Sequence, residues 1–292
     1  MRFKTSLNMN AEAAIVDSHV HLWNPALLRY VWLDGLPTLN RAFLPADFSG
    51  ASGTANVSKI IFIECGCEPA QSLVEVNWIS DLAKSEPRLE GIVAHASLEK
   101  GQNVHADLEN LAANPLVKGV RRNLQGERDA NFCLRPEFVA GVELLAEFGF
   151  TFDVCIRHEQ MRDVAELTRR VPQVNFVLDH FGKPDVRGKK TEPWATDLKT
   201  LAALPNVVCK ISGLATEADW NHWQVADLKF YFELTLECFG FDRVLFGSDW
   251  PVATLATSYE RWVETIGNFL SSATDIERTK LFQTNTERIY RV

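Results

Sequence analysis

The stretch Ala13-Ala14-Ile15-Val16-Asp17-Ser18-His19-Val20-His21-Leu22-Trp23 is a short apolar run, 13–16, that breaks into two histidines at i and i+2. Alternation along an extended chain puts i and i+2 on one face, so His19 and His21 can converge on one point. Its counterpart near the other end is Val244-Leu245-Phe246-Gly247-Ser248-Asp249-Trp250-Pro251, an apolar run ending in a carboxylate where the chain turns. Two imidazoles at the mouth of a first strand and an aspartate at the mouth of a last one suit a barrel, where first and last strands are neighbours.

Between these ends, apolar runs recur at 59–63, 89–94, 117–120, 151–156, 174–178 and 207–211, which with 13–16 and 244–246 makes eight strands. Each is rich in Val, Ile and Phe on both faces, as strands covered on both sides are. Helical periodicity fills the gaps at 71–84, 136–148, 161–170, 194–204 and 228–239, with Gly149, Pro172 and Pro205 as stop signals. Eight strands alternating with helices predict an α/β fold, a distorted (β/α)₈ TIM barrel. No Gly-x-Gly-x-x-Gly follows the first strand, which removes the dinucleotide-binding reading. With no linker or repeat, residues 1–292 are expected to form a single domain behind an N-terminal tail, 1–12. The aromatic, proline-rich stretch 23–55 is a long loop after the first strand, expected to wall off the pocket at the C-terminal face.

Composition is that of an ordinary globular protein: 292 residues, 46% hydrophobic and 23% charged. The net charge of −8 and the absence of a Lys/Arg cluster argue against nucleic acid or an anionic membrane as partner, and leave a small molecule. The six cysteines include a C-x-C pair, Cys65 and Cys67, which is not a zinc spacing; they are expected to be buried and reduced. The tail has no apolar core of a secretory signal and no run reaches the ~18 apolar residues of a membrane span, so the chain reads as cytoplasmic. Nothing in it sets an oligomeric state.

In a barrel the C-terminal strand ends meet at one mouth. Here they carry His19 and His21, Glu64, His95, Arg121 and Arg122, Arg157 and His158, Asp179 and His180, Lys210 and Ser212, and Asp249. Packing alone does not stop eight apolar strands with polar residues at the same end. Three imidazoles and a carboxylate suit a divalent metal with bound water, and equally a metal-free hydrolysis in which Asp249 takes a proton from water. Arg121 and Arg122 could fork onto substrate oxygens, though alternation lets one of the two face the mouth. Trp23 and Trp250 could stack on a ring substrate or pack the loop. Glu64 and His158 complete the expected substrate-binding set.

At these residues the sequence resembles a known group. Residues 16–23, Lys118-Gly119-Val120-Arg121, Phe176-Val177-Leu178-Asp179-His180-Phe181-Gly182-Lys183-Pro184, Lys210-Ile211-Ser212-Gly213-Leu214 and Phe246-Gly247-Ser248-Asp249-Trp250-Pro251 are similar to the amidohydrolase superfamily. Within it they resemble the sugar lactonases and 2-pyrone-4,6-dicarboxylate lactonase, most of all the L-fuconolactonase-like set. The resemblance, spanning about 15–290, implies a barrel hydrolase that opens a sugar lactone with water. It places Asp249 as the water-activating carboxylate, His19, His21 and His180 beside the lactone carbonyl, and Arg121 as a substrate-orienting group. It implies that no cofactor is required; a single Zn²⁺, if bound, would sit among His19, His21, His180 and Asp249. The alternative is a zinc-dependent decarboxylase or another metal-dependent amidohydrolase using the same side chains. Position 122 is Arg where many sugar lactonases have His.

Overall fold

The computed structural model describes residues 14–129 and 131–292. The expected tail, 1–12, and the first residue of the expected first strand lie outside the described residues. In chain order the elements are β1 (Ile15–Val20), α1 (Pro45–Ser52), β2 (Val57–Ile63), α2 (Ser72–Ala83), β3 (Leu89–His95), α3 (His105–Ala112), β4 (Val117–Arg121), α4 (Pro136–Glu143), α5 (Leu145–Phe148) and β5 (Thr151–Val154). They continue with α6 (Met161–Arg170), β6 (Phe176–Leu178), α7 (Trp194–Ala202), β7 (Val207–Ile211), α8 (Val225–Phe239) and β8 (Val244–Phe246). The chain ends with α9 (Tyr259–Phe269), α10 (Asp275–Thr279) and α11 (Asn285–Tyr290).

The strands form one sheet in the order β1 to β8, every neighbouring pair parallel. This is the (β/α)₈ barrel the alternation predicts. Its seam is irregular. No regular ladder joins β8 to β1; instead the His21 amide donates to Trp250 O (2.8 Å), the Asp249 amide to His19 O (2.9 Å) and Ser18 Oγ to Phe246 O (2.6 Å). The Asp17 carboxylate accepts from the amides of Ser248 (2.9 Å) and His19 (3.1 Å), stitching the two histidine- and aspartate-bearing ends together. β1 therefore runs four residues beyond the apolar stretch, through Asp17, Ser18, His19 and Val20, all buried.

The apolar mass lies mainly between sheet and helices. Inside the barrel, Ile61, Ile63, Val93, Val177, Val208 and Leu245 form a smaller layer, plugged from below by Tyr290 of α11. That tyrosine begins a polar column along the axis: its hydroxyl donates to Asp153 Oδ2 (2.6 Å), and Lys210 Nζ donates to the same oxygen (2.6 Å). The long connection after β1 is held by aromatics rather than left flexible. Trp23 is fully buried, its indole donating to the carbonyls of Leu39 (3.1 Å) and Arg41 (2.9 Å), with Trp32 and Phe43 edge-on to its ring. The stretch expected to be loop through 55 includes α1. The helix expected at 136–148 is divided at Leu144 and ends at Gly149, whose φ of +65° suits glycine. The cysteines are free, five buried and Cys238 half-buried. No helix among the described residues is long and apolar enough to cross a membrane.

Candidate active site

β1 delivers His19 and His21 to the mouth on one face, and the turn after β8 delivers Asp249. Their ring nitrogens meet: His19 Nε2 and His21 Nε2 are 3.1 Å apart, and Asp249 Oδ1 lies 3.7 and 3.5 Å from them. His180, from the turn after β6, places Nε2 3.9 Å from the same oxygen. Asp249 has φ +58° and His180 +54°, the left-handed region that non-glycine residues occupy mainly where surrounding structure forces it. Gly213, with φ +62°, keeps this space clear: a Cβ there would fall 2.6 Å from His180 Nδ1 and 3.0 Å from Asp249 Oδ2.

Each ring is fixed from behind. His21 Nδ1 donates to Ile63 O (2.8 Å), which leaves its Nε2 bare of a proton in the neutral ring. His180 Nδ1 shares a hydrogen bond with Ser212 Oγ (2.9 Å). His19 Nδ1 faces two groups, Lys210 Nζ at 3.3 Å and Asp179 Oδ1 at 3.4 Å. Arg121 lies against the cluster, Nε donating to Glu64 Oε1 (2.6 Å) and Nη1 to Asp179 Oδ2 (3.3 Å), 3.5 Å from His19 Nε2.

Burial sets the protonation states. It pushes His19 well below the usual imidazole range, beyond what the Asp179 charge restores, and takes His180 down to about 4, so both rings are neutral at neutral pH. For Asp249 burial acts the other way, but the surrounding histidines, His180 foremost, outweigh it and hold the carboxyl well below the carboxylate range. Asp179 is likewise held down, against burial, by Lys210 and His19.

The donor set fits a divalent ion. Ligands at about 2.0–2.1 Å from zinc stand about 3.3–3.4 Å from one another, close to the 3.1, 3.5 and 3.7 Å separations within His19, His21 and Asp249, with His180 3.9 Å from Asp249. Geometry groups His19, His21 and Asp249 as one candidate cluster and His19, Asp179 and His180 as another. The same atoms are also satisfied without an ion. Lys210 can donate to His19 Nδ1, His19 Nε2–H to His21 Nε2, and His21 Nδ1–H to Ile63 O, an unbroken chain. The two partners of His19 Nδ1 thus serve either tautomer.

The other expected residues are placed differently. Arg121 and Arg122 diverge as alternation requires. Arg122 turns to Glu99 (3.0 Å), Glu127 (2.7 Å) and the Asn123 carbonyl (2.6 Å), so its guanidinium is paired within the protein. Glu64 is buried and accepts from Arg121 Nε (2.6 Å) and from the Gly66 amide (2.7 Å). Trp250 packs edge-on to Phe43 and Phe48, and with Trp23 buried as well, neither indole presents an open stacking face. His158 lies near Glu159 (3.4 Å) with Nδ1 buried. Sequence reasoning gave no role to Asp179 or Lys210 and missed Asp153 and Tyr290. The available signal was opposite charges, Asp153 and Lys210, inside two otherwise apolar strands.

The chain matches the amidohydrolase family over residues 16–292 and belongs to it. It is 32% identical over 293 residues to an L-fucono-1,5-lactonase of Burkholderia multivorans, covering 94% of this chain and 95% of that protein. An L-fucono-1,5-lactonase of Burkholderia ambifaria is 28% identical over 242 residues, 82% of this chain and 81% of the relative. Among solved structures, an amidohydrolase of Burkholderia multivorans with bound zinc superposes with a TM-score of 0.85 at 31% identity, over 96% of this chain and 100% of that one.

Proposed function

We propose that this chain opens the lactone ring of a sugar acid with water. The observation that carries the reading is an ionised, buried Asp249 beside His180, with Arg121 packed against the same histidine cluster, in a chain similar over nearly its whole length to L-fucono-1,5-lactonases. Asp249 takes a proton from water as its oxygen attacks the carbonyl carbon. Arg121 and a His180 Nε2–H, set when Nδ1 accepts from Ser212, hold the developing oxyanion. The ring C–O bond then breaks, the ring oxygen takes the proton from Asp249, and a hydroxy acid results. His19, fully buried, acts through His21 and Asp249 as a rigid support. A carboxylate held so far down is a weak base, which suits a reactive ester such as a lactone and not an amide.

Should a divalent ion bind, His19, His21, His180 and Asp249 would hold it, and it would supply Lewis-acid polarisation of the carbonyl. The reactivity of a lactone carbonyl, which hydrogen bonds suffice to activate, supports hydrolysis that does not depend on the ion. A pH-indicator assay across a panel of hexono- and deoxyhexono-1,5- and 1,4-lactones tests the reading. At least one lactone is expected to release acid well above its spontaneous rate; a panel in which none opens faster than with the Asp249→Asn variant overturns it.

A further inference from the structure

Beside the His/Asp cluster, the connections after β4 to β7 gather a second polar group that the chemistry above does not use: Gln125, Lys183 and Glu217. Lys183 ends a run of four left-handed residues, His180, Phe181, Gly182 and Lys183, with φ of 54°, 58°, 69° and 51°. Three of them are not glycine, a conformation that persists where surroundings over-determine it and that clusters at functional sites. Here the Trp194 indole donates to Phe181 O (2.7 Å) and the Lys183 amide to His180 O (2.8 Å), fixing the turn that aims His180 at Asp249. The same turn brings the Lys183 side chain within electrostatic reach of Asp249. Its Nζ donates to Gln125 Oε1 (2.6 Å) and stands 3.8 Å from Glu217 Oε1, with most of the side chain covered. Burial works against its charge, but Glu217 and Asp249 are close enough to keep it protonated. A lysine so placed keeps a donor that Gln125 does not use.

We propose that Lys183, Glu217 and Gln125 form a subsite for vicinal hydroxyls on the flank of the substrate ring, which makes the substrate a neutral polyhydroxylated lactone rather than a ring bearing carboxylates. This rests on the lactone reading above. A sugar hydroxyl both donates and accepts, and this wall offers both: ammonium and amide N–H as donors, the Glu217 carboxylate as acceptor. A ring carboxylate would meet the Glu217 charge and find Lys183 already neutralised by it. Lys183 is a specificity-determining residue here; bond making and breaking stay with Asp249.

The test compares a hexono-1,5-lactone with δ-valerolactone, the same ring without hydroxyls, in the wild type, Lys183→Met and Glu217→Gln. The preference for the hydroxylated ring, as a ratio of kcat/KM values, should fall about 10–100-fold in Lys183→Met, mostly through KM, the scale of a lost charged hydrogen bond. Glu217→Gln should lower it in the same direction. Thermal unfolding of each variant separates this from damage to the fold, which would lower both substrates alike. An unchanged ratio in both variants overturns the proposal. Calorimetric binding of the unreactive hexono-1,5-lactam gives a readout independent of turnover. A wild type that opens no lactone refutes the hydrolase reading, whereas the subsite falls if Lys183→Met binds the lactam as the wild type does, or if neither binds it.

Discussion

Replacing Lys210 by methionine tests the polar column on which the site is built. Lys210 Nζ lies 2.6 Å from Asp153 Oδ2, 3.1 Å from Asp179 Oδ1 and 3.3 Å from His19 Nδ1, every partner fully buried. Methionine conserves much of the volume but leaves two carboxylates in the barrel without the cation between them. Breaking a buried ion pair from one side costs about 3–5 kcal/mol. Tyr290 still donates to Asp153 and Arg121 to Asp179, so the lower end, about 3 kcal/mol, is expected. Against a total stability on the order of 5–15 kcal/mol, that is a large share. Urea unfolding at pH 7, followed by circular dichroism, should show the midpoint falling accordingly. Adding Asp153→Asn removes one stranded charge, so the double variant should be more stable than additivity allows by at least about 1 kcal/mol. A single-variant loss below about 1 kcal/mol, or strict additivity in the double variant, would refute the column as an electrostatic unit.

Asp249→Asn should fold normally and lose at least ~10²-fold in kcat, because the amide cannot accept the proton from water; near-wild-type turnover would remove it as the base. Gly213→Ala should cost activity more than stability, since its Cβ would meet His180 Nδ1 and Asp249 Oδ2 and push both aside; kcat measured beside the unfolding midpoint checks this. Glu75, beneath the first loop, is pushed up to about 8 by burial and by the nearby Glu64 charge. The folded chain therefore keeps a proton that the unfolded chain releases near 4.5. The stability that proton contributes is complete below pH 4.5 and is lost as pH rises towards 8, at up to about 1.4 kcal/mol per pH unit. Glu75→Gln should flatten that fall, and identical pH–stability curves for variant and wild type would contradict it.

The barrel was legible because its strands are covered on both faces and so read as apolar runs separated by helical periods. β7 and β8 match their expected bounds, as does the helix at Met161–Arg170. β1 was read short because Asp17, Ser18 and His19 look like a strand end; they continue the strand since the seam to β8 pairs their polar groups. The convergence of His19, His21, His180 and Asp249 was visible as polar residues closing three strands, β1, β6 and β8. Tryptophans beside the motifs were harder: side-chain type does not tell a ring that stacks on substrate from one that pins a loop, and Trp23 pins the loop. Tyr290 could not have been placed from its position near the end of the chain. Its contact with Asp153 spans 137 residues and exists because α11 folds back under the barrel.

Lactone opening by this chain's own side chains, Asp249 foremost, is separable from opening by a bound metal. Its most direct test is the rate of acid release from the responding sugar lactone by enzyme stripped with chelator and verified metal-free by elemental analysis, beside the Asp249→Asn variant. The stripped enzyme should keep nearly its full rate and the variant should lose at least ~10²-fold. A stripped enzyme that is inactive and regains its rate with added Zn²⁺, or an Asp249→Asn variant that still turns over, would contradict it.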